Sequence, residues 1–328
     1  DIFSNWNDHR DSILIGSLFD FTSDKANMAA THLAIENTNS SGGLQGQDFV
    51  VITCDYSDDP TGEIDGTSGE DAIQEAASFL MEELRAPVII GPAGSNDALY
   101  TYPIAEQNSV AMVSPSATSP ELTSIDAIHA KSDEDPGLFW RTVGSDEIQA
   151  AVLANRINSS EEIDISLIYQ EGSYGKNFIN ELSKNLDDEI ARDSHPYQTA
   201  TDLDELISNP EVYANKSGLA FISSDIDEIV TFIDKIAGKE DYQNLRIYLA
   251  DAAADQKLLD PQNADSKDEM ITGTRPALPS GEVFSFFADV YQDFSLDGET
   301  FSAEENVYAA YTYDATWMAL FGYAWAIG

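Results

Sequence analysis

The feature that most constrains this chain is a strand-then-helix rhythm that runs twice along it. Ile13 to Phe19 is apolar enough for a buried strand, and Lys25 to Asn39 carries Ala26, Ala29, Leu33 and Asn37 on one side of a helix that Gly42-Gly43 closes. Phe49 to Cys54 predicts a second strand, and Asp71 to Leu84 a helix burying Ile73, Ala76, Leu80 and Leu84. PVIIGPAGS (87–95) and VAMVSPSATSPELT (110–123) are strands that end in small, hydroxyl-bearing loops, with a helix from Asn96 to Gln107 between them. Strands alternating with helices make βαβ units and a parallel sheet. In such sheets ligands bind at the carboxyl ends of the strands, near the point where the strand order reverses.

After a Ser-, Pro- and Asp-rich stretch, Ser116 to Phe139, a second series begins. Ser145 is a good N-cap for a helix through Ile157. Ile163 to Tyr169, Gly218 to Ile222 and Leu245 to Ala250 read as strands, and Tyr174 to Leu186 and Ile226 to Ala237 as helices. A short helix after Asp251, a strand at Met270 to Thr274, and helices at Gly281 to Phe294 and Ala303 to Ile327 complete the pattern. At 328 residues the chain exceeds what one core usually organises. The fold class expected is therefore α/β, with two doubly wound parallel-sheet lobes: residues 1–120 plus 251–328 in the first and 121–250 in the second.

Sixteen Lys and Arg against 59 Asp and Glu give a net charge of −43, which excludes nucleic acid and anionic membrane as partners. The acids are spread over helix faces and loops, so they read as a solvated surface. A saline habitat is one explanation and solubility alone the other. No run of apolar residues reaches membrane-spanning length. The opening DIFSNWNDHRDS has no basic stretch followed by an apolar core; an export leader was removed or never existed, and export stays open. The lone Cys54 is read as a small buried residue at a strand end.

Catalytic signatures are missing: His9, His32, His129 and His195 are far apart, and no G-x-S-x-G, Walker loop, HExxH or CxxC occurs. The acidic run Asp55 to Asp71 lacks the D-x-[DN]-x-[DN]-G spacing of a calcium loop and reads as a solvated loop, so neither metal nor cofactor is expected. Gly42, Gly43 and Gly46 follow a helix, where a nucleotide fingerprint must follow a strand.

The order of AATHLAIENTNSSGGLQGQDFVVITCD, APVIIGPAGS, VAMVSPSATSPELTS, LFWRTVGSDEIQAA, ISLIYQEGSYGKNF and YDATWMAL resembles the type I periplasmic solute-binding proteins, specifically the branched-chain amino-acid group. That resemblance spans nearly the whole chain. It implies two lobes hinged around a small ligand, most simply an amino acid or related zwitterion or carboxylate. It also implies a monomer, periplasmic or extracellular, that hands its ligand to an ABC transporter permease, with a lipid anchor left open. The family's carboxylate-gripping residues fall on Ser95, Ser116, Ala117 and Thr118; its second-lobe Tyr falls on Tyr174, and the acid for the ligand's ammonium group on Asp251. Such a set suits a zwitterion, since hydroxyls and helix N-terminal N–H groups hold a carboxylate and an aspartate holds an ammonium ion.

Three departures from the family pattern matter. The segment between Thr22 and Leu33 is about a helical turn short, which leaves ligand side-chain specificity open. ISSDIDE puts Asp225 or Ile226 where relatives carry an aromatic residue, and a second acid there favours a more cationic ligand or faces water. The chain stops at Gly328, inside a helix that relatives follow with a further segment. Local readings compete with each assignment: Ser95 as an N-cap, Ser116 and Thr118 as turn residues before Pro120, Tyr174 as a rim aromatic, Asp251 as a cap. A sensory ligand-binding domain or an α/β enzyme are the alternative functions.

Overall fold

A computed structural model describes residues 11–57, 69–129, 132, 134–160, 164–237, 239–259 and 270–328. His9 and most of the acidic run between Asp55 and Asp71 lie outside them. The chain divides into two compact units.

The first unit comprises Asp1–Ala117, Ser124–Val143 and Leu278–Gly328. Its sheet is built from β1 (Ile13–Phe19), β2 (Phe49–Asp55), β3 (Val88–Ile90), β4 (Ala111–Ser114) and β5 (Phe139–Arg141), all parallel, in the order β2-β1-β3-β4-β5. β1 lies inside the sheet, which is why it reads as a nearly unbroken apolar run. The helices are α1 (Lys25–Ser40), α2 (Gly69–Ser78) and α3 (Ser95–Asn108), with α9 (Glu282–Asp293) and α10 (Ala309–Ile327) returning from the far end of the chain. α10 lays Ala315, Ala319 and Leu320 on Ile13, Ile15, Val51 and Ile90 of the sheet. A two-stranded hairpin, Ser295–Leu296 with Glu299–Thr300, follows α9.

The second unit comprises Thr118–Thr123 and Gly144–Ala277. Here β6 (Asp164–Gln170), β7 (Ala191–Tyr197), β8 (Gly218–Ile222), β9 (Arg246–Leu249) and β10 (Ile271–Gly273) form a parallel sheet in the order β10-β9-β8-β6-β7. Counted from β6, that is the same order as in the first unit, so both sheets reverse beside their first strand. Alternation along β8 divides the core: Ala220 and Ile222 face α4 (Asp146–Asn158) and α5 (Ser173–Asn185), whereas Leu219 and Phe221 face α6 (Ala200–Ser208), α7 (Pro210–Tyr213) and α8 (Ile226–Ala237).

The unit edges differ from the expected 120 and 251 for a reason in strand pairing. β5 pairs with β4, Met112 opposite Phe139, and so carries residues up to Val143 into the first unit. β10 pairs with β9, Ile271 opposite Ile247, and keeps Asp251 to Ala277 in the second. The last helix starts at Ala309 rather than Ala303. β5, β7 and α6 were not anticipated, and each is short or exposed.

Candidate functional site

At the carboxyl edge of the first sheet, the chain leaving β3 passes directly against β1. Gly91 has a φ of +96°, and a Cβ there would run into the Leu18 carbonyl oxygen, so only glycine fits. α3 then begins at Ser95, with Gly94 in the N-cap position and no side-chain cap. The N-cap reading of Ser95 is thereby corrected by one residue: Ser95 is buried in the first turn itself. The loop after β4 is stitched to this turn. Ser114 Oγ donates to Pro92 O at 2.6 Å, Ser116 Oγ donates to Ala93 O at 3.0 Å, and Ala117 N–H donates to Ser114 Oγ at 3.1 Å. Arg141, at the end of β5, braces the same loop through Nη1 to Ala117 O at 3.0 Å. The structure thus joins the Ser95 and Ser116 loops within the first unit. Thr118 groups with the second unit, where its carbonyl accepts from Asp146 N–H at 2.9 Å and its buried Oγ1 has no hydrogen-bond partner among the described residues.

The same edge carries acids that sequence reasoning did not single out. Asp20 directly follows β1 and accepts the N–H groups of Thr22 (2.6 Å) and Ser23 (3.1 Å), which tightens the short segment noted after Thr22. Asp24 accepts from Asp20 N–H at 3.2 Å and from Asn27 Nδ2 at 3.0 Å. Burial, with the charges of Asp20 and Asp97 adding to it, pushes the Asp24 carboxyl up to about 7. Asp97, in the first turn of α3, is pushed up to about 6, chiefly by burial, although a hydrogen bond from Tyr56 opposes the shift. Tyr56 is itself pushed well above the ordinary range by burial beside these acids. Among the described residues no group of three His, Cys, Asp or Glu is disposed to hold a metal ion. At mildly acidic pH the Asp24 and Asp97 carboxyls are therefore largely uncharged. The cluster's sequence signal was positional, since Asp20, Tyr56 and Asp97 each follow the end of β1, β2 or β3.

At the carboxyl edge of the second sheet, Gly172 (φ +138°) turns the chain from β6 into α5. Gly175 sits so close that a Cβ would run into the Gln170 carbonyl oxygen, which holds the buried Tyr174 at the strand end. The Tyr174 hydroxyl donates to Asp251 Oδ1 at 2.6 Å. Asp251 is buried and starts the turn after β9. Gln149 of α4, also missed in the sequence, donates its amide to that same Oδ1 at 3.1 Å and to Thr274 O at 3.0 Å. Ser119, Glu121, Ser173 and Asn177 form an adjoining network, with Ser173 Oγ 2.9 Å from Ser119 Oγ and 3.0 Å from Glu121 Oε2, and the Asn177 amide donating to Ser119 Oγ and Glu121 Oε2. Asp225 stands outside this group. It is exposed, and its Oδ1 accepts the N–H groups of Asp227 (2.8 Å) and Glu228 (3.4 Å), so it caps α8.

Two parallel-sheet units with polar groups gathered at their strand ends define a ligand-binding α/β protein class. The chain belongs to the family described as the receptor family ligand binding region, whose model matches residues 26–320. It is similar to the leucine-, isoleucine-, valine-, threonine- and alanine-binding protein of Pseudomonas aeruginosa, 26% identical over 161 residues covering 49% of this chain and 38% of that protein. It is also similar to the chemotactic signal transduction system substrate-binding protein BasB of Halobacterium salinarum, 26% identical over 211 residues covering 61% of this chain and 47% of that protein. The chain thus spans less than half the length of these curated relatives. In fold it is similar to the branched-chain amino-acid transporter substrate-binding protein LivJ of Streptococcus pneumoniae, solved with isoleucine: TM-score 0.72, 16% identity, 94% of this chain and 83% of that one. No described helix is long and apolar enough to cross a membrane.

Proposed function

We propose that this chain is an extracytoplasmic solute-binding protein for an amino acid or a closely related zwitterion, which it delivers to an ABC transporter permease. The observation that carries the reading is the buried Asp251 carboxylate, oriented by Tyr174 and Gln149 at the end of β9. A buried carboxyl oriented by hydrogen-bond donors is suited to a cationic group, and an α-ammonium group is the matching one. Within the first unit, Ser95 in the first turn of α3, with no side-chain cap at Gly94, and Ser116 in the loop stitched to that turn offer polar groups suited to a carboxylate, and Thr118 and Ala117 are kept as candidates beside them. Binding, rather than catalysis, is what these groups support.

A thermal-shift screen over the twenty amino acids, small amides, aromatic acids and polyamines, in molar KCl and followed by calorimetry, tests this. Asp251→Asn is expected to weaken α-amino ligands at least tenfold while sparing their deaminated carboxylates. Equal loss for both, or none, would refute the ammonium role. A sensory role is the second reading, favoured by the likeness to BasB, whose name places it in chemotactic signalling. Stimulation of a permease's ATPase by the liganded protein separates the two.

A further inference from the structure

We propose that Gln170 selects the ligand's side chain from the second unit, presenting two amide hydrogens to a neutral oxygen, so that hydroxyl- and amide-bearing amino acids are preferred over aliphatic ones of the same shape. The inference rests on the proposed amino-acid-binding role and narrows it to a substrate class.

In the order β10-β9-β8-β6-β7, β6 and β8 are neighbours whose following helices go to opposite faces of the sheet. Phe178 and Leu182 of α5 share one core with Ala220 and Ile222, and Phe232 and Ile236 of α8 share the other with Leu219 and Phe221. Chains that leave adjacent strands in opposite directions open a crevice outside the strands' carboxyl ends, which is where ligands bind in such sheets. Gln170 is the last residue of β6, and its carbonyl lies against Gly175, next to Tyr174. Ser224 follows β8 on the other side of the crevice.

Gln170 Oε1 accepts from Ser224 Oγ at 2.7 Å and from Ser224 N–H at 3.2 Å, so the amide lies across the crevice. An oxygen holding two donors fixes which way the amide faces. Nε2 is left with two hydrogens and no hydrogen-bond partner among the described residues. Both flanks are braced. Tyr197, opposite Gln170 on β7, donates to Glu228 Oε2 at 2.5 Å, and Ser223 Oγ donates to the same oxygen at 2.6 Å. Ser223 Oγ also accepts Asp225 N–H at 3.1 Å, and Glu171 N–H donates to Tyr197 O at 2.8 Å. Gln170 is half-buried, so this bracing holds a donor group where a ligand can reach it.

With Oε1 occupied, the amide offers donors only and matches an acceptor. Glu171 follows it in the chain, Asp225 follows Ser224, and Glu228 stands behind Ser223. A carboxylate would meet their repulsion, so a neutral hydroxyl or carbonyl oxygen is the fitting acceptor. An aliphatic side chain in the same place would take water from the amide hydrogens without replacing its hydrogen bonds, the penalty by which a polar site rejects an apolar isostere.

Calorimetry in molar KCl tests this with two isosteric pairs, L-threonine against L-valine and L-asparagine against L-leucine, and with L-aspartate beside them. Wild type should bind the oxygen-bearing member of each pair about tenfold more tightly, and asparagine more tightly than aspartate. Gln170→Met removes the donors and should bring the members of each pair within about twofold of one another. Gln170→Glu keeps an acceptor for Ser224 and exchanges the free amino group for an oxygen; it should lose the same preference, and it answers the question if the Met variant does not fold. A purely structural tie between β6 and β8 would weaken both members of a pair together. That result, an unchanged preference in both variants, tighter binding of valine and leucine by wild type, or tighter binding of aspartate than asparagine overturns the proposal while amino-acid binding stands. If no amino acid binds, the parent reading falls and the proposal with it.

Discussion

Asp24→Asn should stabilise the protein in a way that depends on pH. The Asp24 carboxyl titrates at about 7 in the folded chain against an ordinary 3.8. Its folded value is raised, so its stabilising contribution is complete below pH 4 and is lost as pH rises through 7. A displacement of about three pH units corresponds to at most about 4 kcal/mol at about 1.36 kcal/mol per unit. The carboxyl is enclosed by protein, but the residue as a whole keeps some water contact, and screening reduces the expectation to about 2 kcal/mol. Asparagine cannot ionise, so the variant's stability relative to wild type should rise between pH 4 and 7 and stay level above 7. A constant offset of about 1 kcal/mol is also expected, because an amide serves the Asp20 N–H and the Asn27 amide less well than a carboxyl does. Urea unfolding at half-unit pH steps in constant molar KCl reads the difference directly. A difference that is flat from pH 4 to 8 would refute the account of Asp24 as a buried, late-ionising acid.

The net charge of −43 should make stability rise with KCl from 0.1 to 2 M by several degrees or more, because the screening length falls from about 10 Å to under 3 Å; a scan flat in KCl and matched by sucrose would count against it. Gly175→Ala puts a methyl into the Gln170 carbonyl and should cost about 2–3 kcal/mol in urea unfolding, with ligand binding weakened through the neighbouring Tyr174. Lys216→Met leaves Asp164 and Asp193, each 2.7 Å from the lost ammonium, facing one another, and should cost about 2 kcal/mol, most of it recovered by adding Asp193→Asn. Affinity for a bare carboxylate ligand should strengthen as pH falls through 6, since Asp97 in the first turn of α3 becomes neutral there; calorimetry showing the opposite trend would separate Asp97 from the carboxylate site.

The parts of the fold legible in the sequence are those where burial dominates. β1 and β8 are interior strands, and their apolar runs placed them at the observed residues. β7 escaped because it is an edge strand, ARDSHPY, whose exposed charges and Pro196 carry no apolar alternation. α6 carries a readable sign in its Thr199–Asp202 capping box, although its mostly exposed residues give little apolar pattern. Within the site, Tyr174 and Asp251 were named from resemblance, and the structure adds the hydrogen bond between them. Gln149 was invisible because a glutamine one residue before a buried alanine looks like the solvent face of a helix. Asp20, Asp24 and Asp97 each look like an ordinary acid at a helix start, and only the meeting of three strand ends turns them into a cluster.

The strand ends also explain how so acidic a chain can hold a carboxylate in the proposed reading. A free cationic side chain would be drawn into pairs with the surrounding acids, as Lys216, Lys235 and Lys257 are. Dipoles escape that competition, because hydroxyls and N–H groups have no net charge to neutralise. The first sheet offers such dipoles at Ser95 and Ser116, and burial suppresses the ionisation of Asp24 and Asp97 at the same edge, which limits the repulsion an incoming anion meets from these two. Arg141 adds positive potential to the Ala117 loop. The second sheet presents a different arrangement, the Asp251 carboxyl oriented by the Tyr174 hydroxyl and the Gln149 amide. The dipoles at the first sheet's edge are therefore the groups suited to an anion, because they act without a net charge that the surrounding acids could neutralise.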